Sequence, residues 1–351
     1  VRITFVIPFL NPTGGIRVVL DYANALHRLG HRVQVVHPLW PYRFHHSRPR
    51  QLRVFARHLL TGNRLGWFDL EAPLAQVPRI ADAHLPEADM VVATAWPTAY
   101  DVARLEATKG RKIYFIQLYE IDSGPVDQVD GSYRLPLAPV AVSSHLAELI
   151  EARFGRRCLE VIPPGVDPAV FYAGGRAEPL TVVMPYHPDA RKGGEDGLAA
   201  LRLLKERLPG LKVRLFGHRR PTDFDGVWMS FERQPTAGRL RALYAESAAL
   251  LYPSRFEGFG LPPLEAMRCG CAVVTTRVGE LPRLLSDGCD ALLVPPQDGA
   301  AMARCLERVL VDEALRAALV ACALERSQGF LLERGVQRWL AVLEKPTGDP
   351  G

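Results

Sequence analysis

Between Tyr252 and Met267 the chain runs Tyr-Pro-Ser-Arg-Phe-Glu-Gly-Phe-Gly-Leu-Pro-Pro-Leu-Glu-Ala-Met, which reads as a strand end, a glycine-rich loop and the first turns of a helix. Gly258 and Gly260 let backbone approach a ligand closely, and the helix that follows aims its unpaired N–H groups and dipole at that space. Pro262 and Pro263 suit a helix start, where no N–H is needed. Glu257 and Glu265 bracket the loop, and carboxylates accept hydrogen bonds from hydroxyls. An anion cradle between two carboxylates fits a ligand with phosphates in the middle and polyol groups at both ends, which describes a sugar nucleotide. Each glutamate alone has a plainer explanation: the dipole favours Glu in a first helical turn by roughly 0.3–1 kcal/mol, and loop glutamates are commonly solvated.

The elements that must position this loop alternate strand and helix. Ile3 to Ile7 form a short buried-strand pattern, followed by Gly14-Gly15 and a helical period through Val18, Val19, Tyr22, Ala23, Leu26 and Leu29 that Gly30 closes. A second strand begins at His31, so the chain opens with the strand-helix-strand unit of a parallel α/β sheet. Ala88 to Thr94 and Lys112 to Gln117 read as further buried strands with polar residues just after their ends, where open α/β sheets keep their ligands. Trp96, Gln117, Tyr119, Glu120 and Asp122 are candidates on that ground, although packing explains Tyr119 equally well. Ser143 reads as a helix N-cap. The proline and glycine density of Val161-Ile-Pro-Pro-Gly-Val-Asp marks an interdomain connection, and a second strand-helix series starts at Leu180. There Arg191-Lys192-Gly193-Gly194 precedes a helix, Lys212 to Gly217 ends a strand at a ligand edge, and Ala248 to Tyr252 delivers the opening loop.

With 351 residues, 48% hydrophobic and 23% charged, the chain is globular and long enough for two domains. A formal charge of +5 is small for this length and by itself argues neither for nor against nucleic acid; with a sugar nucleotide as the ligand that the loop fits, no nucleic-acid partner is expected. Six cysteines lack the paired spacings of a zinc site, so reduced core thiols are expected and no metal is inferred. The first residues lack the length and cleavage site of a signal peptide, and no apolar run reaches the roughly 20 residues that span a bilayer, so a soluble cytoplasmic protein is expected. Between Pro41 and Gly66 stand six arginines (Arg43, Arg48, Arg50, Arg53, Arg57 and Arg64), three histidines and no acidic residue. Leu52, Phe55, Leu59 and Leu60 recur there at helical spacing. A solvated basic helix is one reading; an anionic acceptor, or peripheral contact of segment 43–64 with anionic headgroups at the inner face of the membrane, is the other.

The stretch Glu-Gly-Phe-Gly-Leu-Pro-x-x-Glu-Ala from Glu257 to Ala266 resembles the donor-site signature of family-four retaining glycosyltransferases of the GT-B fold, of the bacterial glycan or natural-product type. The linker phrase Gly165-Val166-Asp167 with Phe171 and the pair Lys192-Gly193 resemble the same family. The resemblance implies an α/β architecture of two Rossmann-like domains, each with a parallel sheet, facing an interdomain cleft. An acceptor-binding domain spans 1–170 and a nucleotide-sugar-binding domain 171–330, with a C-terminal helix in 331–351 packing back on the first. It also implies a metal-independent hexosyl- or deoxyhexosyltransferase that needs no cofactor beyond its nucleoside-diphosphate sugar and moves that sugar to a hydroxyl acceptor (glycan, lipid-linked or natural product).

Residue by residue, the resemblance gives Glu265 the ribose hydroxyls and Glu257 the donor sugar. The diphosphate falls to Lys192 and to the backbone N–H groups of Phe259, Gly260 and Leu261, with Gly258 and Gly217 lining the donor and Gly14-Gly15 facing diphosphate and acceptor. Two positions depart from the pattern. Gln117 stands where many members carry a histidine that faces the reacting sugar, and Tyr186 stands where they carry an arginine, leaving Arg191 as a substitute cation. Glu120 or Asp122 is conceivable as a catalytic helper, and Phe-Ile-Gln-Leu-Tyr-Glu from Phe115 resembles a subset of bacterial enzymes that build rhamnose-containing glycans. The competing readings are a nucleotide-sugar epimerase on the same architecture and a non-catalytic sugar-nucleotide-binding protein.

Overall fold

A computed structural model describes residues 1–42, 44, 51, 52, 55 and 65–345. The chain divides into two compact units, Val1–Pro164 with the segment from Leu332 onward, and Gly165–Leu331. The first carries a seven-stranded sheet in the order β3-β2-β1-β4-β5-β6-β7. Its strands are β1 (Arg2–Val6), β2 (Arg32–Pro38), β3 (Leu74–Val77), β4 (Met90–Ala93), β5 (Arg111–Ile116), β6 (Ala138–Ala141) and β7 (Glu160–Val161). All pairs are parallel, for example Ile3 opposite Val33 on one side and Met90 on the other. The second unit holds β8 (Glu178–Tyr186), β9 (Lys212–Gly217), β10 (Met229–Arg233), β11 (Ser247–Tyr252), β12 (Ala272–Thr276) and β13 (Leu292–Val294). Their order is β10-β9-β8-β11-β12-β13, again all parallel. Helices cover both faces of such sheets, so central strands are buried along their length: every residue of β11 is buried.

Local chemistry sets the elements. Thr13 caps the helix Gly14–Arg28, its hydroxyl accepting from the Ile16 N–H at 3.3 Å, and the stripe Ile16, Val19, Leu20, Ala23 and Leu26 turns inward. Ser143 does the same for the helix Ser144–Phe154 by accepting from the Leu146 N–H.

The helix Leu332–Glu344 belongs to the first unit, although 167 residues of the second unit precede it. Trp339 is fully buried, its ring edge-on to Phe5, Tyr22 and Phe115 at 5.7, 6.1 and 5.2 Å. A Cβ on Gly335 would lie 2.0 Å from the Tyr22 hydroxyl, so only glycine lets the helix seat this deeply. The chain therefore completes the first core with its last helix.

The division falls after Pro164, not at 170 as the linker composition suggests. Val166 already donates to the Phe330 carbonyl at 2.8 Å, and Phe171 is fully buried with its ring 6.4 Å from that of Tyr244. The segment 165–171 is thus sewn into the second unit.

Candidate functional site

In the second sheet β8 lies between β9 and β11, so the strand order reverses direction at the β8–β11 pair. Ligands of open α/β sheets bind outside the carboxyl ends of strands at such a point. Two segments meet there. One follows β8 and contains the turn Ala190–Lys192; the other follows β11 and leads into the helix Leu261–Arg268. The Arg191 carbonyl accepts from the N–H groups of Arg255 and Phe256 at 2.8 and 3.1 Å, tying the two together. Gly193, at φ +62°, lies so close to the second segment that a Cβ would stand 1.9 Å from the Pro253 carbonyl oxygen. Lys192-Gly193 is therefore a close backbone approach as well as a cation.

Gly260 caps the helix at φ +97°, and a Cβ there would meet Leu281 Cδ2 at 2.7 Å. Pro262 and Pro263 follow Leu261, so Leu261 carries the only N–H among the first three helical residues. None of the N–H groups of Phe259, Gly260 and Leu261 donates to any described residue. Three backbone donors without a partner among the described residues, at a helix N-terminus, make an anion cradle. The Phe259 side chain plays no part in it; the residue is buried, with its ring 6.4 Å from that of Phe330. Gly258 is buried in the same loop.

Glu257 precedes this cradle by two residues and is only 7% exposed. A single oxygen, Oε1, accepts from three donors: Lys192 Nζ at 2.7 Å, the Tyr252 hydroxyl at 2.6 Å and the Ser254 hydroxyl at 2.7 Å. Burial, followed by the Glu257 charge, drives the Tyr252 phenol far above its usual range, so it remains a donor. With Oε1 saturated, Oε2 accepts nothing from the described residues and is the atom left for a ligand hydroxyl. Lys192 is more open, its side chain 41% exposed, so its ammonium keeps donors to spare beyond the Glu257 contact.

The remaining donor-side candidates are placed less simply. Glu265 lies within the helix, 2% exposed, and accepts from the Tyr244 hydroxyl at 3.2 Å; the first-turn position read from the sequence is replaced by a buried one because two prolines and Leu264 occupy the turn before it. Gly217 ends β9 where a Cβ would stand 2.1 Å from the Tyr186 carbonyl oxygen, so β8–β9 packing by itself requires glycine. The Arg191 guanidinium grips Asp189 (Nη2 to Oδ2 2.6 Å), which holds that carboxyl down to about 2. Tyr186 donates to Glu195 at 2.7 Å and packs its ring over Gly194, with burial foremost in pushing its phenol up to about 12.

Gly14, Gly15, Gln117 and Glu120 belong to the first unit. A Cβ on Gly14 would meet nothing within 4 Å, whereas one on Gly15 would be 3.3 Å from Gln117 Oε1, so the Gln117 amide lies over the start of the helix Gly14–Arg28. Glu120 Oε2 accepts from the Trp96 N–H at 2.7 Å at the start of the helix Trp96–Arg104, and burial of its carboxyl raises it to about 7. Trp96 is itself buried with Nε1 unpartnered among the described residues. Tyr119 is structural: its hydroxyl donates to Asp130 at 2.8 Å under the Arg153 guanidinium.

Sequence reasoning missed the residues that hold Glu257. Tyr252 and Ser254 read as strand end and turn, and only the loop's return brings both hydroxyls onto one oxygen. It also missed β10 and, beside it, an open pocket of about 530 Å³ lined by His218, Arg219, Arg220, Phe231 and Arg233. Every arginine of the basic segment 43–64 lies outside the described residues. Among those described, no group of three or more His, Cys, Asp or Glu side chains is placed to hold a metal ion, and no helix is long and apolar enough to cross a membrane.

The family described as Glycosyltransferase Family 4 matches residues 12–170, and that described as Glycosyl transferases group 1 matches 180–312. The D-inositol 3-phosphate glycosyltransferase of Actinosynnema mirum is 32% identical over 210 residues, which is 52% of this chain and 50% of that protein. The chain spans about half the length of the curated relatives of this kind. Among solved structures, Anabaena Alr3699/HepE in complex with UDP-glucose superposes with a TM-score of 0.75 at 17% identity, covering 97% of this chain and 99% of that one. The sucrose-phosphate synthase of Thermosynechococcus elongatus does so at 0.73 and 18%, covering 97% and 98%. At that identity the likeness speaks to the fold: two Rossmann-like halves of GT-B type.

Proposed function

The chain belongs to the family-four glycosyltransferases, and from that premise we propose that it moves a sugar from a nucleoside-diphosphate sugar to a hydroxyl acceptor with retention at the anomeric carbon. The observation that carries the proposal is the pairing of three unpartnered backbone donors at Phe259, Gly260 and Leu261 with the Lys192–Glu257 contact. A diphosphate supplies the missing acceptors. The bound UDP-glucose of the Anabaena neighbour supports a sugar nucleotide as the donor.

In this reading the diphosphate rests on the cradle and draws on Lys192, whose attraction strengthens as the leaving group gathers charge. Glu257 Oε2 accepts from a hydroxyl of the donor sugar while Tyr252 and Ser254 fix the carboxylate. Glu265 is assigned the ribose hydroxyls. The acceptor oxygen bonds to the anomeric carbon on the face that the diphosphate leaves, the carbon–oxygen bond to phosphate breaks, and a phosphate oxygen takes the acceptor's proton. Side-chain cations and backbone dipoles suffice for this step, so no metal is assigned to it. The transferred group is a hexose or deoxyhexose, and the acceptor a glycan, lipid-linked or natural-product hydroxyl.

The test is release of nucleoside diphosphate across a panel of donors and acceptors, for the native protein and for Glu257→Gln and Lys192→Ala. Each variant is expected to lose about a hundredfold or more of transfer, the scale of removing a pre-organised charge-stabilising group, with its melting curve still cooperative. Near-native rates in either variant would remove the site assignment. Turnover of a sugar nucleotide without any acceptor would instead favour epimerisation.

A further inference from the structure

We propose that the donor's base is guanine, read on its O6/N7 edge by the arginines of the pocket at the carboxyl ends of β9 and β10. The inference rests on the transferase reading and specifies its donor.

The pocket is made by two adjacent strand ends. His218, Arg219 and Arg220 follow the last residue of β9, while Phe231 and Arg233 lie in β10, with Arg233 directly opposite Gly217. Guanidinium donors dominate its polar wall, with His218 beside them. Among the described residues none of Arg219, Arg220 and Arg233 has an ion-pair partner, and Arg220 only stacks on Phe224, 5.0 Å from the ring centre. The carboxylates nearby are committed elsewhere: Asp223 to Arg202, Glu232 to Arg239, and Asp225 to the Trp228 indole N–H. Guanidinium groups donate and never accept, so the guest must be rich in acceptors. Phe231 and the guanidinium planes add flat surfaces on which an aromatic ring stacks.

Position selects the base over another part of the donor. The diphosphate cradle sits at the ends of β8 and β11, and the sheet order runs from β8 through β9 to β10. Strands lie 4.7–4.9 Å apart, so the pocket is offset from β8 by roughly 10 Å, about the reach of a ribose and its base from the diphosphate.

Chemistry then selects among bases. Guanine presents O6 and N7 side by side, the two acceptors that match a bidentate arginine fork. Adenine sets an amino donor beside N7, and cytosine likewise offers an amino donor. Uracil separates its two carbonyls by an N–H that would point at further donors.

The experiment is calorimetric titration of the full chain with GDP, IDP, 7-deaza-GDP, UDP and ADP. GDP and IDP, which share O6 and N7, are expected to bind about tenfold or more tighter than UDP and ADP, and replacing N7 by carbon in 7-deaza-GDP to cost about tenfold. The triple variant Arg219→Ala, Arg220→Ala, Arg233→Ala is expected to level GDP with UDP; all three side chains are exposed, and a native-like melting curve checks its fold. UDP or ADP binding as tightly as GDP overturns the guanine assignment, and a GDP preference that survives the triple variant overturns its reading by these arginines; both leave the transferase reading standing. Binding of none of the five, nor of CDP or dTDP titrated in the same way, overturns the transferase reading itself.

Discussion

Glu120 offers a pH test whose size follows from the structure. Its carboxyl is raised from 4.5 to about 7, chiefly by burial, with the Trp96 N–H and the Tyr114 hydroxyl opposing the shift. Tyr114 and Tyr133, its titratable neighbours, are themselves pushed far up by burial and stay protonated. Between those two values the unfolded chain carries a carboxylate while the folded chain carries the neutral acid, so the folded state binds the extra proton. Stability is therefore full below about pH 4.5 and falls as pH rises through 7. At 1.36 kcal/mol per unit, the loss is about 3 kcal/mol. Glu120→Gln cannot ionise, and its amide oxygen can still accept from the Trp96 N–H. The variant should match the native protein near pH 4.5 and exceed it by about 3 kcal/mol above pH 7, or roughly 6–12 °C in melting temperature for a unit of this size. Calorimetric melting of both proteins from pH 4.5 to 8 measures this directly. A melting difference that stays constant across the range would show that the folded carboxyl titrates normally and would refute the reasoning.

The other expectations concern the donor loop and the last helix. Tyr252→Phe removes one of three donors from Glu257 Oε1; a hydrogen bond to a charged partner contributes about 1.5–3 kcal/mol, so the second unit should lose that much in denaturant titration, and an unchanged midpoint would contradict the placement. Gly260→Ala forces a non-glycine residue to φ +97° and a Cβ to 2.7 Å from Leu281; strain of about 1–3 kcal/mol should displace the cradle and weaken nucleoside-diphosphate binding about tenfold, which titration calorimetry would detect. Trp339→Ala should cost the first unit about 3–5 kcal/mol, and hydrogen exchange in β1 and β5 should accelerate while β8 and β11 are unaffected.

Periodicity and glycine placement were enough to read the architecture, because parallel α/β units alternate short apolar strand runs with 3.6-residue helical stripes along the chain. The Glu257 to Ala266 loop was legible for a related reason: glycines, prolines and carboxylates at fixed short spacing act through local backbone geometry. So was the Ser143 cap. These features depend on neighbours within a few residues, and the sequence alone determines them.

Everything that depends on chain return had to wait for the tertiary structure. Lys192 reaches Glu257 across 65 positions of sequence, and the packing of Gly193 against the Pro253 carbonyl is what delivers it. Two hydroxyls converge on one oxygen of Glu257 and leave the other open, a division no spacing rule encodes. Glu265 moves from an anticipated first-turn position into a buried contact with Tyr244, and the domain division moves to Pro164 because Phe171 packs against that same tyrosine ring. The raised Glu120 carboxyl comes from desolvation by residues on other elements, and the arginine pocket from the register of β9 beside β10. Local sequence sets backbone conformation and donor supply; which charge is buried, paired or left open is decided by long-range packing.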